Sequence, residues 1–103
     1  MQELSRMDVS FADDDLERLE ADSSFNAGLD HVVVRSYRKV MQIIRSASDE
    51  RVFYALKSLH YEKLKGKRSH QRSMRLNIQW RLVLQIIEAD SKVVVIVSIE
   101  DYH

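Results

Sequence analysis

The chain has 103 residues, with 16 basic and 16 acidic side chains, two glycines and neither proline nor cysteine. This length predicts a single domain over residues 1–103, and the lack of cysteine excludes disulfides and thiolate metal sites. The zero net charge hides a segregated distribution, because residues 1–30 carry −7, residues 31–81 carry +10 and residues 82–103 carry −3. Such segregation favours a polyanionic partner for the central part of the chain.

The first residues do not look like a secretory signal. Gln2 and Glu3 follow the initial Met where a signal peptide has basic residues and then an apolar run. The longest apolar run, Val93–Val97, is far shorter than the roughly 20 residues that span a bilayer. We therefore expect a cytoplasmic protein with no membrane contact.

The first third of the chain predicts a short strand and two helices. Residues Met7–Ala12 alternate loosely between apolar and polar side chains, as a short edge strand does. Asp13 can cap a helix over Asp14–Ala21, because its carboxylate accepts hydrogen bonds from the free amides of the first turn. After a loop, Asp30 can cap a second, longer helix in the same way.

The second helix is predicted to be amphipathic. One side has an apolar stripe at steps of four, three and four residues, formed by Val33, Tyr37, Val40 and Ile44. The other side is polar and is interpreted as a solvated face; it contains Arg35, Arg38, Gln42 and Arg45. A short third segment then begins at Ser48 or Asp49 and directs Val52, Phe53 and Leu56 inward.

A basic loop over Lys63–Ser69 surrounds Gly66. Guanidinium groups can orient a phosphate and ammonium groups can supply mobile charge around it, whereas a charge run alone is usually a solvated loop. His60 and His70 flank this loop, but their spacing fits no zinc pattern and predicts ordinary surface residues.

From Arg72 onward the apolar period changes from 3.6 to 2, which predicts strands. A turn at residues 77–79 would place Arg75 opposite Arg81 on one face of a hairpin, with Trp80 in the core. Opposed arginines repel by roughly 0.2–1 kcal/mol. An anion can bridge such a pair; alternatively the side chains lie apart, or a glutamate neutralises them, and the candidates are Glu62, Glu88 and Glu100.

After the turn signal Asp90-Ser91, the Val/Ile-rich segment Lys92–Glu100 predicts a central strand buried on both faces. The residues Asp101, Tyr102 and His103 follow it directly. They are either a frayed terminus or part of a site in which Tyr102 stacks on a base and Asp101 or His103 transfers a proton. A weak strand, helices and then antiparallel strands predict the α+β class.

Three sequence stretches resemble the HigB toxins of the RelE/ParE superfamily, which are the killer proteins of bacterial toxin–antitoxin modules. They are LHYEKLKG at Leu59–Gly66, QRSMRLNIQWRL at Gln71–Leu82, and the final Asp101-Tyr102-His103. The resemblance covers roughly Tyr54–His103, while the first half of the chain matches in length and helical character. It implies an α+β domain with two N-terminal helices packed on a curved antiparallel β-sheet, the RelE-like microbial ribonuclease fold.

The resemblance also implies an activity, that of a ribosome-dependent, metal-independent mRNA endoribonuclease (mRNA interferase) without a cofactor. A ribose 2′-hydroxyl would attack the adjacent phosphate. Matching the motifs residue by residue implies six catalytic residues: Lys65, Arg75, Arg81, Asp101, Tyr102 and His103. Other bases are expected to contact RNA or the ribosome, namely Lys57, Lys63, Lys67, Arg68 and Arg72.

The implied partners are a HigA-like helix-turn-helix antitoxin, the ribosome with mRNA in its decoding site, and operator DNA bound through the antitoxin. Two other functions stay open, a ParE-like toxin that inhibits DNA gyrase and a non-catalytic RNA- or ribosome-binding module. Many relatives have an acid and a second glycine where this chain has Lys67 and His70, so His70 is a further candidate for proton transfer.

Overall fold

The computed structural model describes residues 6–102, so residues 1–5 and His103 lie outside the described residues. The helices are α1 (Asp14–Ala21), α2 (His31–Ser46) and α3 (Arg51–Ala55). The strands are β1 (Asp8–Phe11), β2 (Glu62–Lys63), β3 (Arg72–Arg75), β4 (Trp80–Glu88) and β5 (Lys92–Asp101). Two 3₁₀ turns lie at Lys57–Leu59 and Gly66–Arg68. The predicted α+β class is confirmed.

The five strands form one sheet in the order β1-β5-β4-β3-β2. β1 runs parallel to β5, whereas every other neighbouring pair is antiparallel. The sheet is therefore mixed: the antiparallel pairing expected from the sequence is confirmed for β2 to β5, and the edge strand β1 is parallel. Parallel strands need a long crossover connection. Most of the chain separates β1 from β5, so no short turn in the sequence signals the direction of their pairing.

The two predicted N-caps are confirmed. The Asp13 carboxylate accepts from the Asp15 amide at 2.8 Å, and the Asp30 carboxylate accepts from the Val32 amide at 2.9 Å. Each bond satisfies an amide that has no partner inside its own helix. The first helix is where the caps and acids predicted it, over Asp14–Ala21.

The apolar stripe of α2 packs toward the sheet as predicted. Its members are at most 6% exposed: Val33, Tyr37, Val40 and Ile44. The Tyr37 hydroxyl donates a 2.7 Å hydrogen bond to the carbonyl oxygen of Leu16, which joins α2 to α1, and burial raises the pKa of Tyr37. The core also contains Phe53, Met74, Leu82, Leu84, Val94 and Ile96, with Trp80 packed against it as predicted.

Two expected inward placements are wrong. Leu56 is 40% exposed, because α3 ends at Ala55 and the next residues form a 3₁₀ turn that breaks the helical phase. β5 is central in the sheet, yet only its alternate residues Val94 and Ile96 are fully buried. The helices cover one face of the sheet, so the other face of β5 is only half-buried.

The polar side of α2 is not a purely solvated face. The Arg38 Nε donates to the carbonyl oxygen of Leu19, and its Nη2 donates to the carbonyl oxygens of Asp22 and Phe25, all at 3.0 Å. The last carbonyls of a helix lack helical partners. Arg38 therefore holds the end of α1 and the following loop against α2.

Within residues 6–102, no helix has the length and apolar character that crossing a membrane requires.

Arg38→Ala is expected to lower the free energy of unfolding by about 1.5–3 kcal/mol, the usual range for hydrogen bonds made by a charged group. Arg35→Ala is the matched control, since Arg35 is an exposed arginine on the same helix, and it should change stability by no more than about 0.5 kcal/mol. Urea unfolding followed by circular dichroism measures both. Equal losses in the two variants would contradict the role of Arg38.

Candidate active site

The hairpin of β3 and β4 places the two predicted arginines opposite each other. Arg75 pairs with Arg81 in the ladder, as predicted from the period of two. The turn between the strands is held by Asn77, whose side-chain oxygen accepts from the amides of Gln79 and Trp80 at 2.8 and 2.7 Å. This side chain replaces backbone acceptors in the turn, so the register of the arginines is well defined.

Strand alternation places these arginines on the sheet face opposite the helices, which we call the outer face. Met74 and Leu82 are ladder partners in the helix-side core. The next pair along the ladder, Arg75 with Arg81, therefore faces the other way. Cross-strand pairing brings β5 into the same row, because Glu100 pairs with Arg81. Around this row, the outer-face residues include Ser73, Arg75, Arg81, Val83, Ser98 and Glu100.

The basic loop between β2 and β3 lies beside this row. Lys65 precedes the 3₁₀ turn Gly66–Arg68, and Gly66 has a φ of +65°, which favours glycine. A cleft of about 350 Å³ opens between the loop and the sheet. It is lined by Glu62, Lys63, Leu64, Lys65, Arg68 and Arg81. Two of the predicted catalytic residues, Lys65 and Arg81, therefore share one cleft.

A carboxylate from β5 neutralises part of this positive charge. Glu100 accepts two hydrogen bonds from Arg68, at 2.8 and 2.6 Å, and one from the Ser98 hydroxyl at 2.6 Å. Arg81 Nη2 lies 3.7 Å from the same carboxylate. These Arg68 bonds, with help from Ser98, lower the pKa of Glu100 to about 2 although burial opposes the shift. Of the three glutamates named from the sequence, Glu100 is the one that contacts Arg81.

Arg81 also contacts the ring of Tyr102. Its guanidinium carbon lies 5.3 Å from the ring centroid, within the range of a cation–π contact. The Tyr102 amide donates to the Gln79 carbonyl at 2.8 Å, so the end of β5 is tied to the hairpin turn. The buried Nε of Arg81 has no hydrogen-bond partner among residues 6–102. Tyr102 is thus an ordered neighbour of Arg81, as the site hypothesis requires.

The other predicted terminal residues differ from Tyr102. Asp101 pairs with Trp80 in the ladder and accepts from the Gln79 side-chain amide at 2.9 Å. Alternation directs Asp101 away from the outer face on which Glu100 lies. His103 lies outside the described residues. The structure therefore brings Tyr102, but not Asp101, to the row of arginines.

Arg75 lies beyond the cleft rather than in its lining. Its Nη1 is 3.2 Å from the Nε2 of His60. Arginine has only donors, so this contact is a hydrogen bond when Nε2 carries no proton. His60 has a φ of +46°, a left-handed conformation that the sequence does not signal. His60 is exposed, as predicted for a surface residue, and its position beside Arg75 also makes it a neighbour of the site.

The predicted RNA-contacting bases have different surroundings. Arg72 has a side chain 24% exposed, with Nε 3.6 Å from a Glu50 carboxylate oxygen, and it donates to the carbonyls of Ser69 and Gln71. Three of these bases are exposed lysines: Lys57, Lys63 and Lys67. His70 is also exposed. Arg68 is bound to Glu100, so its guanidinium is engaged within the protein.

Solved structures of bacterial toxins are similar to this chain over nearly its whole length. YafQ from E. coli strain BL21(DE3) has a TM-score of 0.58 and 9% identity, and the match covers 94% of both chains. The YoeB–YefM complex from Staphylococcus aureus gives 0.57 and 21% identity, over 96% of this chain and 99% of the other. A YoeB/ParE toxin from Agrobacterium tumefaciens has a TM-score of 0.56 and 14% identity, and the match covers 94% of this chain and 100% of the other.

No protein-family model and no curated protein matches the chain. At these identities the structural likeness defines the fold. The chain has the fold of the YoeB/ParE and YafQ toxins, and the RelE-like fold expected from the sequence is confirmed. The more specific resemblance to HigB stays a prediction.

The pKa of Glu100 lies at about 2, against an ordinary value of 4.5. Its ion pairs therefore stabilise the fold fully above pH 4.5, and this stabilisation is lost as the pH falls toward about 2. Glu100→Gln is therefore expected to be less stable than wild type by a constant amount above about pH 5, and the difference should shrink between about pH 4.5 and pH 2. Urea unfolding across this pH range measures it. A difference that is independent of pH would contradict the assignment.

Proposed function

We propose that this protein is the toxin of a type II toxin–antitoxin module and inhibits growth as a ribosome-dependent, metal-independent mRNA endoribonuclease of HigB type. One observation carries the proposal: Lys65 and Arg81 line the same cleft, and Tyr102 packs on Arg81. Two cations and an aromatic ring in one place suit a phosphate with its neighbouring base. The toxin fold supports the same conclusion.

In the proposed reaction, the 2′-oxygen of a ribose bonds to the adjacent phosphorus and the bond from phosphorus to the 5′-oxygen breaks. The 2′-hydroxyl loses a proton and the leaving 5′-oxygen gains one, giving a 2′,3′-cyclic phosphate and a 5′-hydroxyl. Negative charge grows on the phosphorane oxygens, where Arg81 and Lys65 would stabilise it. Arg81 lines the cleft, and its guanidinium carries only hydrogen-bond donors, which suit those oxygens.

The other roles follow from the same placement. Tyr102 would stack on a base and so orient the scissile ribose. Asp101 or His103 would transfer protons, as the resemblance implies, with Asp101 needing to leave its bond to Gln79 to do so. Arg75, next to Arg81 in the ladder, would contact the flanking phosphate. Long-range steering would come from Lys57, Lys63, Lys67 and Arg72.

The proposed partners are an antitoxin of the HigA type and the ribosome carrying mRNA in its decoding site. Operator DNA would be bound indirectly, through the helix-turn-helix of the antitoxin. One similar structure, the YoeB–YefM complex of Staphylococcus aureus, is itself a complex. The protein would act in the cytoplasm as a single domain.

Arg81→Ala is expected to slow single-turnover cleavage of ribosome-bound mRNA by about 10²–10³-fold, the usual effect of removing one preorganised donor. Lys65→Ala should cause a loss of similar order, and both variants should relieve growth inhibition. Primer extension on mRNA after induced expression locates and quantifies the cleavage.

Arg51→Ala is the control for charge, because Arg51 is 91% exposed and does not line the cleft. It should retain toxicity, and all three variants should fold and bind the antitoxin. Toxicity that survives the combined Arg81→Ala and Lys65→Ala changes would overturn the nuclease proposal. Toxicity without mRNA cleavage, accompanied by inhibition of DNA gyrase, would instead identify the ParE-like function.

A further inference from the structure

The ion pair between Arg68 and Glu100 crosses the outer face of the sheet. Arg68 belongs to the loop between β2 and β3, whereas Glu100 lies on β5, two strands beyond β3 in the sheet order. The two residues are 32 positions apart in the sequence. The Arg68 Nη1 donates to Oε1 of Glu100 and Nη2 donates to Oε2, and this bidentate pairing fixes the angle of approach as well as the distance.

Burial beneath this ion pair shows that the loop packs on the sheet. Leu64, Ser73 and Val83 are at most 8% exposed, yet none of them belongs to the helix-side core. Ser73 and Val83 lie on the outer face by their register, and Leu64 opens the basic loop. The loop therefore covers a small second layer of buried residues, and the ion pair closes its outer edge.

Fixing Arg68 also fixes Lys65. The Arg68 amide donates to the Lys65 carbonyl at 3.3 Å, and the Gln71 amide donates to the Arg68 carbonyl at 2.8 Å. In addition, the Arg68 Nε donates to the Gln71 side chain at 2.9 Å. A shift of the Arg68 side chain away from β5 would therefore move the turn that carries Lys65 relative to Arg81.

We propose that Glu100 is a positioning residue, which holds the basic loop through Arg68 so that Lys65 and Arg81 face each other across the cleft. The effect of Glu100 on cleavage rests on the proposed function. The anchoring of the loop by Glu100 rests on the geometry alone. It also reassigns Arg68 from an RNA contact to a structural partner of Glu100.

Removing this carboxylate has two effects of opposite sign. Glu100 is an anion beside the cations that would bind RNA, so its loss makes the cleft more positive and favours phosphate binding. The same loss frees the loop and misplaces Lys65, which slows a reaction that depends on alignment. If Glu100 were important only for the stability of the fold, its removal would weaken ribosome binding and slow cleavage together. If it acted only through its charge, its removal would strengthen binding and leave the cleavage rate unchanged.

The test compares Glu100→Gln with wild type in three measurements: the cleavage rate, ribosome binding and amide hydrogen exchange. Single-turnover cleavage on mRNA-programmed ribosomes should slow by about 10- to 100-fold, while the toxin binds those ribosomes equally well or more tightly. Amide hydrogen exchange at residues 65–71 of the free protein should be faster in the variant. Glu88→Gln is the matched control, because Glu88 lies in an exposed ion pair with Lys92 at the other end of β4, and it should change none of the three.

Arg68→Ala should reproduce the faster exchange. The double variant Arg68→Ala with Glu100→Gln should exchange no faster than Arg68→Ala alone, because the ion pair is already lost in that single variant. Loop exchange unchanged in Glu100→Gln would overturn the anchor whether or not the wild type cleaves mRNA. Faster exchange with an unchanged cleavage rate would overturn the positioning role. A wild type that fails to cleave mRNA refutes the proposed nuclease, and exchange still decides the anchor.

Discussion

The alternation of side chains along β3, β4 and β5 is the constraint on which both the core and the candidate site depend. Leu82 packs under the helices and its neighbour Arg81 projects from the opposite face. A slip of one residue in register would bury the arginine and expose the leucine. The apolar contacts that hold β4 in register therefore also place Arg81 beside the basic loop, so the stability of the core and the geometry of the site have one origin.

The same face has to accommodate several cations at short range. Arg75 and Arg81 are direct ladder partners, and Arg68 reaches from the loop to Glu100, beside Arg81. Glu100 offsets this repulsion from the centre of the cluster, helped by the hydroxyl of Ser98. The neutralisation is incomplete, because among the described residues the buried Nε atoms of Arg75 and Arg81 have no hydrogen-bond partner. Unpartnered buried donors are unfavourable, so Glu100 does not remove the whole penalty of placing these arginines side by side.

Local sequence signals predicted the elements well and the long-range contacts less well. Helix caps and hairpin registers depend on residues close in the sequence, so they could be predicted. The caps at Asp13 and Asp30 and the pairing of Arg75 with Arg81 are confirmed. The parallel pairing of β1 with β5 and the choice of Glu100 over the other glutamates depend on contacts between distant segments. The position of Asp101 could have been foreseen, because alternation separates it from Glu100 and Tyr102 once the strand continues through residue 101. The left-handed turn at His60 has no such signal.

In the proposed function, the cleft stabilises a phosphorane formed by attack of the 2′-hydroxyl. Analysis of the ends of mRNA cut by the purified protein on ribosomes tests this most directly. We expect a 5′-hydroxyl on the downstream fragment and a 2′,3′-cyclic phosphate on the upstream one, with no cut in an mRNA whose ribose at that position is 2′-deoxy or 2′-O-methyl. Fragments with 5′-phosphate ends, or cleavage that persists without the 2′-hydroxyl, would contradict it.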